Sequence, residues 1–575
     1  MTISDKLNKM RGILYRKYFE KKTEPIERNT RAAQMLAILK KEPYERVVVQ
    51  EKKKKDKISK FPNFMILPSK ALISFHQPTK STDLKYSLIR PYAYAVIRWD
   101  IKEDSLVYHV LEPPLSDEEK NILDKLKQGL IETINVSFES VKKGDTTLGF
   151  LEEHVQNLID EYDFEITEDQ YMKIMYYIYR DFVGLNEVEP FIHDPFIEDI
   201  SCDGVKIPIY VVHQKLGSLQ TNVQFDNEVN LRNMVVKLAE RCDRYISYAE
   251  PLLDGTLPDG SRVQASLASD VTTKGPTFTI RKFRDVPFTP VDMVELGTAS
   301  PEMLAYLWFI VEQGRNILIC GGVSTGKTSF LNNLSLFIPP DAKIVSIEDT
   351  RELNLPHANW IPAVARTGFG GTKIGEVDMF ELLRESFRQN PDYLVVGEVR
   401  GKEASVMFQG LASGHPGIST IHAGSVDDVI KRLETPPINL SPGLLETLDL
   451  IIVMVHAKEK GKSARRVKKV VELLSIDKNG KAETLDVFTW NPTKDDFEFH
   501  KSKLLEDISA EKGLSMENIK KDIEIRKKII EWMIKNRPKT WQEIAKYIAM
   551  FQSERARLFE LVGIKDDASK FITAG

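Results

Sequence analysis

The chain has 575 residues, too many for a single hydrophobic core, and its 42% hydrophobic and 29% charged residues exclude fibrous and wholly disordered classes. Its longest apolar runs, such as Leu450 to Val455, fall far short of the about 20 residues that span a bilayer. The amino end lacks a signal core, and three scattered cysteines, Cys202, Cys242 and Cys320, exclude a disulfide framework and a four-cysteine zinc site; a cytoplasmic protein is expected.

The net charge of −4 conceals a basic amino end, since residues 1–60 hold 18 Lys or Arg against 8 Asp or Glu. The rest of the chain is therefore acidic. The segment reads as a weakly structured tail, with a short helix possible only over Thr30 to Lys41, and the run Lys52-Lys53-Lys54-Lys55 fits either anionic lipid headgroups, an acidic partner or a solvated arm. Residues 61–157 alternate as strands do over Tyr94 to Trp99 and Leu106 to Val110, and Ser116-Asp117-Glu118-Glu119 caps a helix, which predicts a small α+β domain. Residues 158–284 predict a second one, with helices at Glu168 to Phe182 and Asn230 to Arg241 and strands around Ile209 to Val212 and Thr277 to Ile280. The turn-rich residues 285–290 predict a hinge.

From 291 to 498 apolar strands at 316–320, 343–347, 393–397, 418–421 and 449–455 alternate with helical segments. That order predicts a mainly parallel α/β domain with its ligand at the carboxyl ends of the strands. Residues 499–575 predict a helical tail, with helices at Ile523 to Lys535 and Trp541 to Met550.

The first of those strands runs into Gly321-Gly322-Val323-Ser324-Thr325-Gly326-Lys327-Thr328, and a helix is expected from Ser329 to Phe337. This is a phosphate-binding loop. Glycines let backbone N–H groups turn onto phosphates, the helix adds its positive end, Lys327 reaches the β- and γ-phosphates, and Thr328 can ligate magnesium, so ATP and Mg2+ are the expected ligands.

Further polar groups stand at the other strand ends. Glu348-Asp349-Thr350-Arg351-Glu352 follows the second strand, where carboxylates either orient water and hold magnesium's water shell or cap a turn; Asp349 is the expected magnesium contact, partly through water. Glu398 ends the next strand in the position of a Walker B acid, although Gly397 stands where an Asp usually precedes it. His422 ends the fourth, where an imidazole can sense the γ-phosphate or serve structure, and His415 in the preceding turn is the weaker candidate. Arg384 and Arg388 lie four apart on a helix from Asp378 to Asn390, free for a phosphate or paired with Glu381 and Glu385.

Taken together, the phosphate loop, Ile-Glu-Asp-Thr-Arg-Glu-Leu, Leu-Leu-Arg-x3-Arg-Gln-Asn-Pro-Asp, Val-Gly-Glu-Val-Arg-Gly and Ser-Thr-Ile-His-Ala resemble the ATPases of type II and type IV secretion systems. Asp194 to Gly204 and Leu257 to Val263 resemble the archaeal branch that drives archaellum and type IV pilus assembly. The resemblance spans roughly Tyr86 to Thr489. It implies a homo-hexamer of chains with an amino-terminal domain and a RecA-like motor domain, and ATP between the two. It further implies that Glu352 acts on water, Glu398 is the Walker B acid and His422 belongs to the His box. Arg262 and Arg281 match the amino-terminal arginines that complete such sites, and Arg384 and Arg388 match those between the acidic boxes.

The expected protein is thus a motor peripheral to the inner face of the cytoplasmic membrane, docked on a polytopic platform protein. Two other classes fit a P-loop chain: a nucleic-acid translocase and a nucleotide-gated scaffold with little turnover. The motor half lacks a basic stripe interleaved with aromatics, so no nucleic acid is expected, and Lys327, Glu352 and Glu398 favour turnover over gating.

Overall fold

In the computed structural model the described residues are 61–68, 80–133, 144–284, 286–366, 375–459, 462–477, 481–565. The chain divides into two units, Met1–Pro62 and Asn63–Gly575. The basic segment 1–60, with the helix expected at Thr30 to Lys41, lies outside the described residues, as do Asp285 of the expected hinge and residues 566–575.

Ten strands, β1 (Leu67–Pro68), β2 (Asp83–Arg90), β3 (Ala93–Asp100), β4 (Ser105–Leu111), β5 (Ile197–Cys202), β6 (Pro208–His213), β7 (Gly217–Gln224), β8 (Leu252–Thr256), β9 (Arg262–Ser266) and β10 (Thr277–Arg281), form one sheet. Their order is β1-β2-β3-β4-β7-β6-β5-β10-β9-β8. Alternation drives it: in β3 Ala93, Ala95 and Ile97 are fully buried while the residues between them face outward. The Ser116 cap forms as its sequence demands, with Glu119 N donating to Ser116 Oγ at 3.2 Å and Ser116 N to Glu119 Oε2 at 2.7 Å.

The segments before and after residue 158 share this sheet, because β4 pairs in parallel with β7 through Val107 to Gln220 and Tyr108 to Thr221. A buried carboxylate welds the same seam. Tyr86 and Tyr108 donate to Asp194 Oδ2 at 2.7 and 2.6 Å. The helix from Glu168 ends at Ile178 and continues as a wider π turn over Tyr179–Val183.

The second sheet has nine strands, β11 (Ile317–Gly321), β12 (Ile344–Glu348), β13 (Trp360–Val364), β14 (Tyr393–Val396), β15 (Gly417–His422), β16 (Leu450–Glu459), β17 (Lys462–Ile476), β18 (Ala482–Asn491) and β19 (Asp496–Phe499). Their order is β13-β12-β14-β15-β11-β16-β17-β18-β19. It is parallel from β13 to β16, as in RecA-like P-loop domains, and its central strands are continuously apolar because helices cover both faces. Beyond β16 the sheet turns antiparallel through β17, β18 and β19, a meander that β-α alternation does not foretell.

Helix Pro301–Glu312 is buried all round, with Trp308 stacked on Phe337 at 5.4 Å. Having no polar face, it shows no helical period in the sequence. Its far side meets helices Met516–Asn536 and Trp541–Ser553, whose Ile529, Ile530, Met533 and Phe551 belong to the same core cluster. A buried ion pair locks that contact: Arg526 Nη2 pairs with Glu312 Oε2 at 2.7 Å. A third carboxy-terminal helix, Lys503–Lys512, is held to β17, where Glu472 accepts hydrogen bonds from Lys503 N and Leu504 N.

Candidate active site

Strand register assembles the site. β11 lies between β15 and β16, so Gly321 pairs with both His422 and Met454, and β12 pairs Ile347 with Val396, which sets Glu348 beside Gly397. Glu398 is held by its neighbours' backbones, since Gly397 N donates to Ile347 O and Val399 N to Thr420 O.

The phosphate loop adopts the shape its glycines permit. Gly326 has φ +89° and caps the helix that begins at Lys327, and a β-carbon on Gly321 would stand 2.5 Å from Thr325 Oγ1. Lys327 is 7% exposed, and its Nζ donates to Gly322 O at 2.9 Å and lies 3.2 Å from His422 Nδ1. His422 Nε2 lies 3.0 Å from Glu398 Oε1, Arg400 Nη2 donates to Glu398 Oε2 at 2.8 Å, and Arg400 Nη1 is 3.9 Å from Asp349 Oδ2. One chain of polar groups therefore runs from the lysine of the loop to the acidic segment after β12.

Electrostatics keep these groups in defined states. Burial, then Lys327, lowers the His422 pKa, so the imidazole is neutral near pH 7; burial also lowers that of Lys327, against the attraction of Glu398. The hydrogen bond to Glu398 keeps Arg400 firmly charged. Glu348, 1% exposed, is pushed by burial up to about 7, and its Oε1 accepts from Glu352 N and Leu353 N at 2.8 and 2.9 Å.

The residues fit a magnesium nucleotide. The loop offers a cradle with no room for a side chain at Gly321, a backbone path that suits phosphate oxygens. Thr328, at the start of the helix after the loop, is placed to ligate magnesium together with the phosphates. When bound, magnesium would neutralise charge on the phosphate oxygens.

The sequence profile described as Type II/IV secretion system protein matches residues 184–486, more than half of the chain. An uncharacterized protein of Methanocaldococcus jannaschii is 34% identical over 87% of this chain and 94% of its own length. The chain belongs to the type II/IV secretion-system family. The Type IV secretion system protein PtlH of Bordetella pertussis is 34% identical over 41% of this chain and 79% of its own. The VirB11 ATPase of the Brucella suis type IV secretion system, crystallised with sulphate, covers 49% of this chain and 91% of its own at 23% identity, with a TM-score of 0.26.

In this secretion-family chain the amino-terminal sheet reaches the phosphate-loop site. Arg262 on β9 donates from Nε and Nη2 to the two carboxylate oxygens of Asp254, at 3.2 and 2.9 Å, and lies in the field of Asp349 and Arg400. Arg351 sits over the Phe283 ring at 5.7 Å. Arg281 pairs with Arg262 across β10 and β9 but is exposed. Arg384 contacts the Phe380 ring of its own helix, and Arg388, in a 3-10 turn just past that helix, pairs with Glu385 at 3.4 Å. None of these three touches the phosphate loop. Glu352 is exposed at the mouth of the site, and His415 lies away from it, bonded to Pro391 O at 3.1 Å.

Arg400 and Arg465 have no role assigned from the sequence, and Glu348 only that of one carboxylate among several at the end of the second strand. Glu348 and Arg400 stand inside motifs and were legible as charged neighbours of Asp349 and Glu398. Arg465 lies on antiparallel β17, with nothing in its surroundings in sequence to mark it.

Proposed function

We propose that the chain is an ATP-hydrolysing motor that works as a homo-hexameric ring at the inner face of the cytoplasmic membrane. Docked on a polytopic platform protein, it powers assembly of a type IV pilus-like or archaellum-like filament, or type II-like secretion. In this reading Glu352 activates water, Glu398 is the Walker B acid, His422 reports the γ-phosphate to Glu398, and Thr328 with Asp349 serves magnesium. Residues 61–284, which share one sheet, close as a body on the motor about residues 285–290. The basic segment 1–60 contacts anionic lipid.

The observation that carries this reading is the inequality of the arginines. Arg262 stands at the site of its own chain, whereas Arg281, Arg384 and Arg388 are exposed and clear of the phosphate loop. A site with Lys327, Glu398 and His422 in place but exposed arginines left over is what a composite site looks like before assembly. Arginine fingers are worth roughly 10³–10⁵ in rate, so activity would depend on the ring. Among the described residues no helix is long and apolar enough to cross a membrane, which fits a peripheral motor.

The test is phosphate release from magnesium-ATP over a range of chain concentrations, with Glu398→Gln and Arg281→Ala alongside and DNA added separately. Turnover per chain should rise with concentration, vanish in both variants and ignore DNA. Turnover per chain independent of concentration and unaffected by Arg281→Ala would refute the composite site, and turnover that needs DNA would mean a translocase.

A further inference from the structure

β17 runs antiparallel to β16, with Arg465 opposite His456 and Arg466 opposite Val455. Successive strand residues face opposite sides of a sheet. Arg466 faces inward: its side chain is 2% exposed, and its Nε and Nη2 donate to the two carboxylate oxygens of Asp495 at 2.8 and 2.7 Å. Arg465 faces the phosphate loop. Its Nε donates to Ser324 O at 3.0 Å, and a β-carbon on Gly326 would stand 3.1 Å from its Cδ.

Ser324 is itself in the left-handed region, with φ 58°, so its carbonyl is turned by the loop's own geometry. Among the described residues no hydrogen bond or ion pair is made by either Nη nitrogen of Arg465. A further cation, Arg284, lies near enough for Arg465 to help burial lower its pKa, against the pull of Asp292 and Glu198. A guanidinium fork whose Nη groups make no hydrogen bond or ion pair among the described residues, tethered by its Nε to a phosphate loop, is poised for an oxyanion.

We propose that Arg465 is a nucleotide-binding residue of its own chain: Nε braces the phosphate loop through the Ser324 carbonyl while the Nη fork meets phosphate oxygens of the bound nucleoside triphosphate. The proposal rests on the reading that the loop holds such a nucleotide. It also gives the antiparallel meander a task, because Asp495, on the turn between β18 and β19, fixes Arg466 and hence the strand position from which Arg465 reaches the loop.

The experiment is titration calorimetry of the full chain with magnesium and a slowly hydrolysed ATP analogue, with ADP and with adenosine. It compares the wild type, Arg465→Leu and Arg465→Lys, with melting temperatures taken without nucleotide. Arg465→Leu should weaken the triphosphate by about 10- to 100-fold, the loss expected for charge-assisted hydrogen bonds. It should weaken adenosine little and leave the nucleotide-free melting temperature unchanged, and Arg465→Lys should recover part of the affinity. Equal triphosphate affinity in wild type and Arg465→Leu would overturn the proposal alone. So would equal losses for triphosphate and adenosine with a lowered melting temperature, the mark of a mere brace. A wild type that binds no triphosphate would instead overturn the reading of the loop, and the proposal with it.

Discussion

Glu348 and Gly397 are packed against each other at the ends of two adjacent parallel strands, and a β-carbon on Gly397 would stand 3.2 Å from Glu348 Cγ. Glu348 in turn accepts the backbone N–H groups of Glu352 and Leu353, so the buried carboxylate sets the position of the loop that carries Glu352. A side chain at position 397, where an Asp ordinarily precedes a Walker B acid, would press on the Glu348 side chain.

Gly397→Asp should therefore fold yet lose turnover by about 100-fold, the order of loss that a displacement of 1 Å brings, with Gly397→Ala losing less. Steady-state phosphate release, read beside circular dichroism, checks this. Wild-type turnover in Gly397→Asp would show that Glu348 does not hold the site's geometry.

Arg526 is buried with Glu312 and Asp522, at 2.7 and 2.8 Å, and its guanidinium lies 4.3 Å from the Phe551 ring centre. Removing the cation leaves Glu312, whose side chain is 4% exposed, without its counter-charge. Arg526→Ala should cost about 3–5 kcal/mol in urea unfolding, and the double variant Glu312→Gln, Arg526→Met should recover at least half of that loss. A double variant no more stable than Arg526→Ala would place the cost in packing rather than in charge.

His213 is 1% exposed, stacked on Phe196 at 5.7 Å, and burial pushes its pKa down to about 4. The unfolded chain, with an ordinary histidine near 6.5, binds the proton more readily, so this group's contribution is complete above about pH 6.5 and is lost as the pH falls towards 4. Between pH 7.5 and 4.5 the wild type should lose about 2–3 kcal/mol more than His213→Gln. Denaturation midpoints with equal pH slopes in the two proteins would contradict it.

If residues 1–60 meet anionic lipid, their removal should abolish co-sedimentation with phosphatidylserine vesicles while ATP turnover in solution is retained. Vesicle association of the shortened chain equal to that of the whole would dispose of the idea.

Local chemistry made much of this protein legible in its sequence. The phosphate loop could be read because glycine, lysine and threonine have fixed mechanical tasks within eight consecutive residues. Glu398 and His422 could be read because each closes an apolar strand, and parallel strands carry their ligands at such ends. The amino-terminal strands announced themselves by alternation, and the Ser116 cap by its residue spacing.

What tertiary structure decided depends on groups distant in the chain. That the expected small α+β domains share one sheet depends on Val107 meeting Gln220, and that the carboxy-terminal helices complete the core of the phosphate-loop domain depends on Arg526 finding Glu312 across more than two hundred residues. Helix Pro301–Glu312 hid its period because burial on every side leaves no polar face to count. Arg465 and Arg466 are adjacent and chemically identical, yet strand alternation sends one to Asp495 in the interior and the other to the Ser324 carbonyl of the phosphate loop. Sequence determines that both are charged; only the register of β17 on β16 decides which one faces the phosphate loop.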